Sequence, residues 1–425
     1  MLDLDTIRDR PERVREAIRA KGLDDVDLVD DLLDTDETRR AKITKLQDAQ
    51  ERSNTISQEI GQLKQEGRDE EAEERIQKTR QLKQTIKVLK EQVDDLEERQ
   101  RQLALALPNL PHPSVPVGVT EEDNEVMDTI GEKPSLDFDP APHWTLAEEH
   151  DLVDFERGAK VSGSGFPIYL ERGVQLKRGL IRYFLDLARE NDYRELQPPL
   201  FVNPESAMGT GQLPDKEGQM YEIPKDELYP IPTSEVPITN MHRDEILDAD
   251  DLPLKYCAHT PCFRREAGSY GKDVRGLNRL HQFDKVELVQ IVHPDESYRA
   301  LEALREDAER PLRALGLPYR RLLMCTGDMG FTQAKKYDLE VWSPGQERWL
   351  EVSSISNFEA FQARRMDIRY RPEPEARPRA AHTLNGSGLA LPRVVAALLE
   401  HYQQEDGSIT LPTVLHDYVG FDRIA

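Results

Sequence analysis

Long apolar runs are missing from this chain. No stretch of about 18 apolar residues occurs in its 425 positions, so no segment reads as a membrane-spanning helix. Cysteine is scarce: Cys257, Cys262 and Cys325 are too few for a disulfide framework and suit a reducing compartment. Cys257, His259 and Cys262 stand close together, but no second Cys/His pair accompanies them, so no zinc is expected. Neither a Gly-x-x-x-x-Gly-Lys loop nor a Gly-x-Gly-x-x-Gly turn after a strand is present, which removes the common nucleotide folds. The opening Met1-Leu2-Asp3-Leu4-Asp5 lacks the basic-then-apolar pattern of a secretory leader, and a cytoplasmic location is expected. No internal repeat is found.

What is abundant is acid. With 81 Asp and Glu against 57 Lys and Arg, the net charge is -24, whereas nucleic-acid binders usually carry a basic surplus. The acids are spread along the chain, and arginine outnumbers lysine roughly two to one. That distribution fits a protein working in concentrated salt, where screening shortens charge repulsion to a few Å.

Prolines, glycines and heptads divide the chain. Residues 1 to about 35 predict a short helical start, with Pro11 in the first turn of a helix over Glu12–Ala20 and Gly22 as its stop. From about 36 to 104 there is no proline and only Gly61 and Gly67. Leu46, Ala49, Ser53, Ile56, Ile60 and Leu63 form one heptad seam; Leu82, Ile86, Leu89, Val93, Leu96, Gln100 and Leu103 form another. With a reversal at Gln65–Glu70, the spacing predicts two antiparallel helices of roughly 30 residues, about 45 Å long. Inside the second, Arg75 to Lys90 contains no acid, and Arg80, Lys83, Lys87 and Lys90 share a face, with Arg75 and Lys78 leading in. A basic stripe on an acidic protein is placed for phosphates; a plain dimerisation or spacer hairpin is the competing reading. Pro108, Pro111, Pro113 and Pro116 then end the arm in a stiff linker over 108–118.

Beyond it, over 119–425, strands predominate without regular crossovers. Val174–Glu190 reads as an amphipathic helix, Leu254–Glu266 and Leu277–Val292 as a strand hairpin, Glu296–Leu315 as a helix, and Leu389–Tyr402 as the last long helix. This predicts an α+β fold: an antiparallel sheet flanked by helices, with the helical arm preceding it.

Four charged clusters recur in order along this region. They are Phe263-Arg264-Arg265-Glu266; Arg279-Leu280-His281-Gln282-Phe283 with Glu287 beyond; Glu351-Val352-Ser353-Ser354; and Thr383-Leu384-Asn385-Gly386-Ser387 running through Gly388 to Arg393 as a Gly-rich helix start. Together they resemble the class II aminoacyl-tRNA synthetases. Pro232-Thr233-Ser234-Glu235-Val236-Pro237 and the two-helix arm narrow the resemblance to the seryl-tRNA synthetase family, over nearly the whole chain.

The resemblance implies an ATP-dependent ligase that forms seryl-adenylate from L-serine and passes serine to tRNA(Ser), with tRNA(Sec) as a second candidate. It gives Arg264 the α-phosphate and the amino-acid carboxylate, and Arg265 and Glu266 the ATP side of the same run. Phe283 stacks on adenine, with Arg393 on the other face and toward the γ-phosphate. Glu351 and Ser354 support Mg²⁺ within the ATP-binding run that includes Val352 and Ser353. Thr233, Ser234 and Glu235 hold the substrate ammonium, and Glu287, Thr383, Asn385 and Ser387 surround the serine side chain. Read alone, Thr233–Glu235 is a helix cap, and Arg264 with Glu266 an ordinary ion pair. The resemblance further implies a homodimer with Pro199 at the interface, an arm that grips tRNA, and a loop over 268–278, carrying Lys272 and Arg275, that meets the acceptor end. Two positions depart from the family pattern. Asp192 stands where Gly is usual, a residue tolerant of left-handed backbone. Pro392 precedes Arg393 and places the helix start near Leu391.

Two other readings compete: an amino-acid ligase that loads a carrier protein, and a non-catalytic scaffold on a synthetase fold. The acid surplus yields its own test. The melting temperature is expected to rise between dilute buffer and molar KCl, and equal melting in both would contradict the salt adaptation.

Overall fold

The structure, a computed structural model, describes residues 1–215, 218–267 and 275–425. The chain divides into two units, Met1–Pro108 and Asn109–Ala425. Among the described residues no helix is long and apolar enough to cross a membrane.

In the first unit, Asp3 caps α1 (Leu4–Asp9) by accepting the Asp5 N–H at 2.9 Å, and α2 (Pro11–Ala20) opens on its proline. The two seams become α3 (Leu28–Gln65) and α4 (Asp69–Ala106), each of 38 residues, reversing at Gly67 with φ +73°. They are longer than the heptads suggest. Helix α3 begins at Leu28 because its first turns bury Val29 and Leu32 where it meets α1 and α2, whose Ile7, Val14 and Ile18 are also buried. The change of composition near residue 36 marks where that packing ends, not where the helix starts.

Gln100, a polar residue in an apolar seam, has its reason at that junction. Asp36 is buried, and its carboxylate receives Arg8 Nε and Nη2 at 2.8 Å each and Gln100 Nε2 at 2.8 Å, tying α1, α3 and α4 together. Arg39 and Arg40 also reach it.

In the second unit, residues 109–118 are not a free spacer. Asn109 donates its N–H to Phe331 O and its Nδ2 to Thr332 O and Phe358 O, and His112 N–H reaches Ala334 O at 2.8 Å. The prolines cannot donate, so the intervening residues make these bonds. Eight strands build the main sheet: β1 (Glu125–Ile130), β2 (Arg194–Glu195), β3 (Leu254–Phe263), β4 (Gln282–Val292), β5 (Tyr319–Leu323), β6 (Lys335–Ser343), β7 (Arg348–Asn357) and β8 (His382–Ala390). Their order is β1-β5-β6-β7-β8-β4-β3-β2, antiparallel except where β2 meets β3. Asp192 leads into β2 with φ +65°, the left-handed backbone expected of it.

The helices that bear on function are α5 (His143–Glu149), α6 (Glu171–Glu190), α7 (Glu235–Asn240), α8 (Ser297–Ala314), α9 (Phe361–Met366) and α10 (Leu391–Tyr402). Leu176 and Leu180 of α6, Leu301 and Leu304 of α8, and Val394 and Leu398 of α10 join Leu288, Leu339, Ile355 and Leu384 of the sheet in one core. Strand alternation sends the intervening residues, Glu287, Asp338 and Asn385 among them, to the other face. One expected boundary shifts here. Thr383–Ala390 is a central strand rather than a helix start, while α10 begins at Leu391, as Pro392 indicates. Gly386 lies in that strand because a Cβ there would come within 3.3 Å of Leu304 Cγ and Ile355 Cγ1, so its absence lets α8 approach.

The Asp36 cluster is directly testable. Its hydrogen bonds, from Arg8 above all, hold the carboxyl well below the usual range. Its stabilising contribution is therefore complete above about pH 4 and is lost as acid drives the pH through the depressed value. Asp36→Asn is expected to destabilise the first unit by about 3 kcal/mol at pH 7 and by much less in strong acid, measured by urea unfolding followed by circular dichroism.

Candidate active site

Two groups of polar side chains stand on the face of the sheet away from the main core. The first gathers around β4 and β8. Glu287 and Lys285 alternate along β4, both buried, and form an ion pair. Lys285 Nζ also donates to Thr233 Oγ1 at 2.9 Å. Glu235, first residue of α7, is buried and accepts Gln362 Nε2 of α9 at 2.6 Å; Gln362 Oε1 in turn accepts Thr383 Oγ1 at 2.7 Å. Asn385 and Ser387 follow Thr383 along β8, and Ser387 pairs in register with Glu287. Ser234 occupies the cap position of α7, but its hydroxyl makes no capping bond and stays buried without a partner. The simple helix-cap reading therefore fails at Ser234, although Thr233 Oγ1 does accept the Glu235 N–H at 3.3 Å.

Lys285 and Gln362 were not singled out as site residues. A lysine alternating with a glutamate on a strand that runs into Val286, Leu288, Val289 and Ile291 was a usable signal. Nothing local marks Gln362. Burial raises the Glu235 carboxyl to about 7; Glu287 adds to the rise, while Gln362, Lys285 and Arg264 oppose it.

The second group begins where β3 ends. The strand stops at Phe263, so Arg264, Arg265 and Glu266 belong to the turn after it, and Glu266 has φ +48°. Arg264 Nε donates to Pro232 O at 3.2 Å, and its guanidinium lies over the Phe283 ring at 5.2 Å. Arg265 donates its N–H to Gln219 O at 2.9 Å, and Glu266 pairs with Arg279 at 3.1 Å. Arg393, in the first turn of α10, gives Nε to Asn278 O at 2.9 Å and Nη1 to Glu351 O at 2.7 Å, with 3.8 Å to Glu351 Oε2.

Glu351 is solvent-accessible yet walled by protein. The walls alone would raise its pKa, and Arg393, Lys336, Arg264 and Arg279 outweigh them and hold it below the usual range. Ser354 stands opposite Asp338 in the β6–β7 register. Asp338 was not anticipated; it is buried, 3.1 Å from Lys336 Nζ, and burial raises its carboxyl. The alternation Lys336, Asp338, Glu340 along one strand face was its signal. The run Glu351–Ser354 does not act as a unit. Val352 lies in the hydrophobic core, Ser353 Oγ donates to Ser387 O at 2.6 Å, and the Ser354 side chain hydrogen-bonds Asp338, while Glu351 is exposed.

Among the described residues no three His, Cys, Asp or Glu side chains gather as a metal site. A carboxylate and a hydroxyl are hard oxygen donors, and they fit a Mg²⁺ that completes its shell with phosphate oxygens and water.

In the first unit, Lys78, Arg80, Lys83, Lys87 and Lys90 are exposed along α4, Lys87 lying 3.9 Å from Glu91. Arg75 differs: it is half-buried and reaches Glu59 of α3 at 3.3 Å, bracing the hairpin. Lys272 lies outside the described residues, and Arg275 sits over the Trp144 ring at 4.7 Å.

Comparison with known proteins matches residues 1–111 to the seryl-tRNA synthetase N-terminal domain and residues 220–402 to the tRNA synthetase class II core domain (G, H, P, S and T). A serine–tRNA ligase of Salinibacter ruber is 70% identical over 424 residues, covering 100% of this chain and 99% of its own. The chain belongs to the seryl-tRNA synthetase family. It is thereby a class II aminoacyl-tRNA synthetase, an enzyme of the ligase type. A serine–tRNA ligase of Carboxydothermus hydrogenoformans is 49% identical over 425 residues, covering 100% of this chain and 99% of its own. The crystal structure of seryl-tRNA synthetase from Pyrococcus horikoshii complexed with ATP superposes with TM-score 0.95 at 38% identity, covering 100% of this chain and 99% of that one.

Glu235 gives the site a measurable signature. Its carboxyl, ordinarily near 4.5, stands at about 7, so the folded protein holds a proton that the unfolded chain has released. Stability therefore falls between those two values, by an amount on the order of 3 kcal/mol. Glu235→Gln is expected to melt higher than the parent at pH 8 and to match it near pH 4.5. Equal melting at pH 8 would show that Glu235 is not held against ionisation.

Proposed function

We propose that the second unit activates L-serine with ATP and that the first unit delivers tRNA(Ser) to it. The observation that carries this reading is Arg264. Its guanidinium is held by the Pro232 carbonyl, next in sequence to Thr233–Glu235, and lies over the Phe283 ring; its charge acts on both Glu235 and Glu351, which suits a reaction joining a carboxylate to a phosphate.

Serine enters with its ammonium on Glu235 and its hydroxyl toward Glu287, Thr383, Asn385 and Ser387. Alanine would leave that polar set unpaired and is rejected strongly, whereas threonine is refused only by pocket size. ATP lies with adenine on Phe283 and its phosphates toward Arg264, Arg265 and Arg393, with Glu266 on the ATP side. Glu351 and Ser354 would hold Mg²⁺, which when bound neutralises phosphate charge. A serine carboxylate oxygen attacks the α-phosphorus, the bond to the β-phosphate oxygen breaks, and pyrophosphate departs. Arg264 bridges the two anions and offsets their repulsion. A ribose hydroxyl at the tRNA 3′ end then attacks the seryl carbonyl, and AMP leaves.

The exposed stripe Lys78, Arg80, Lys83, Lys87 and Lys90 supplies phosphate contacts on tRNA, read by shape and backbone. Arg275, with Lys272, serves the acceptor end. A second copy of the chain packs at Pro199.

Serine-dependent exchange of pyrophosphate into ATP tests activation, and charging of tRNA(Ser) and tRNA(Sec) tests transfer. Exchange without charging would favour a carrier-loading ligase; neither would leave a scaffold. Changing Lys83, Lys87 and Lys90 together to Glu is expected to lower charging efficiency at least tenfold at moderate salt with exchange unchanged. Equal loss of both steps would make the stripe structural.

A further inference from the structure

A hydrogen-bonded ring in the second unit joins Arg393 to buried residues that have no part in the roles above. His143 and Glu400 are each 0% exposed. The His143 backbone N–H and Nδ1 both reach Glu400 Oε1, at 2.9 and 2.8 Å, and Nε2 accepts the Leu277 N–H at 2.9 Å. Since Nε2 receives a backbone proton, Nδ1 must carry the imidazole proton and donate to Glu400. Ser343 Oγ donates to Glu400, and Gly345 N–H and Gln346 Nε2 do so at 3.1 Å each. Gln346 Oε1 then accepts Asn278 Nδ2 at 2.9 Å, and the Asn278 carbonyl accepts Arg393 Nε at 2.9 Å. Arg393 and Glu400 lie on one helix, about two turns apart on the same face. The ring closes.

Gly276 shows how tightly it is drawn. Its φ is +68°, and a Cβ there would lie 2.3 Å from His143 Nε2. No side chain fits between the imidazole and the backbone that bears Leu277 and Asn278.

This ring does more than fill a core. The plane of a guanidinium is set once Nε and one terminal nitrogen are bound, and Asn278 O and Glu351 O bind those two atoms of Arg393. Asn278 owes its place to His143, through Leu277, and to Gln346. We propose that His143 is a positioning residue for ATP: by holding Gly276-Leu277-Asn278 against Glu400 it fixes the Arg393 guanidinium in the plane that receives the nucleotide. The inference rests on the nucleotide role given to Arg393 above.

The test compares parent, His143→Gln and Gly276→Ala as full-length proteins. Gly276→Ala keeps both side chains of the His143–Glu400 pair but forces the imidazole and the Gly276-Leu277-Asn278 backbone apart, so it serves if His143→Gln does not fold. Mg·ATP affinity is measured by calorimetry, and KM for ATP and for serine by pyrophosphate exchange. A displacement of about 1 Å at a positioned group can cost up to about a hundredfold. The expected result is a roughly tenfold rise in both Kd and KM for ATP, with KM for serine within twofold. A fall in melting temperature or in active fraction with ATP affinity unchanged would overturn the proposal and leave a purely structural pair. An equal rise in both KM values would overturn it too. If the parent binds ATP without serine-dependent exchange, the proposed function fails, while the comparison of Kd values still judges His143. If the parent binds no ATP, both fall.

Discussion

The second unit is built around charges that its own sheet buries or crowds on one face. Glu235, Glu287, Lys285 and Asp338 are withdrawn from water, and Glu351 is crowded by four cations. Taking such groups out of water costs several kcal/mol apiece unless each is paired and hydrogen-bonded. The pairing is only partial: Lys285 answers Glu287, Gln362 and Thr383 form a relay to Glu235, and Lys336 answers Asp338. The opposite face has to supply the stability, and it does so with helices α6, α8 and α10 on an apolar layer. Glycine at 386 serves the same end by letting α8 close in.

That division of labour follows from the chemistry of joining two anions. Serine brings a carboxylate and ATP a polyphosphate, and neither approaches the other unless cations are already fixed between them. Preorganised charge is strongest where water is excluded, which is also where it is least stable without its partners. Arg264 is held by the Pro232 carbonyl and lies over the Phe283 ring, and Arg393 is held by two backbone carbonyls. Such restraint removes reorganisation at the moment of reaction.

Much of this was legible in the sequence. Heptad spacing located the two long helices, the prolines located their end, and the order of charged clusters pointed to the family. What escaped has a common cause. Lys285, Gln362, Asp338 and His143 matter through partners brought near by strand register or helix packing, far away in sequence; alternating charge hinted at Lys285 and Asp338, and no local pattern marks Gln362 or His143. The Gly-rich run before Arg393 read as a helix start because glycine marks turns as readily as close packing. Its true reason, the proximity of α8, exists only in three dimensions. The start of α3 was missed because Val29 and Leu32 pack outside the heptad seam, and Val352 was grouped with its neighbours although strand alternation sends it to the core.

The central claim is that buried charge waits here for a substrate of opposite sign, and Glu235 exposes it most directly. Its carboxyl stands at about 7, so at pH 7 part of the population is protonated, and an arriving ammonium should expel that proton. Serine titrated calorimetrically into the full-length protein at pH 7, in two buffers of different ionisation enthalpy, counts the protons released. The account predicts that protons are released as serine binds. Binding of serine with no proton released would contradict it.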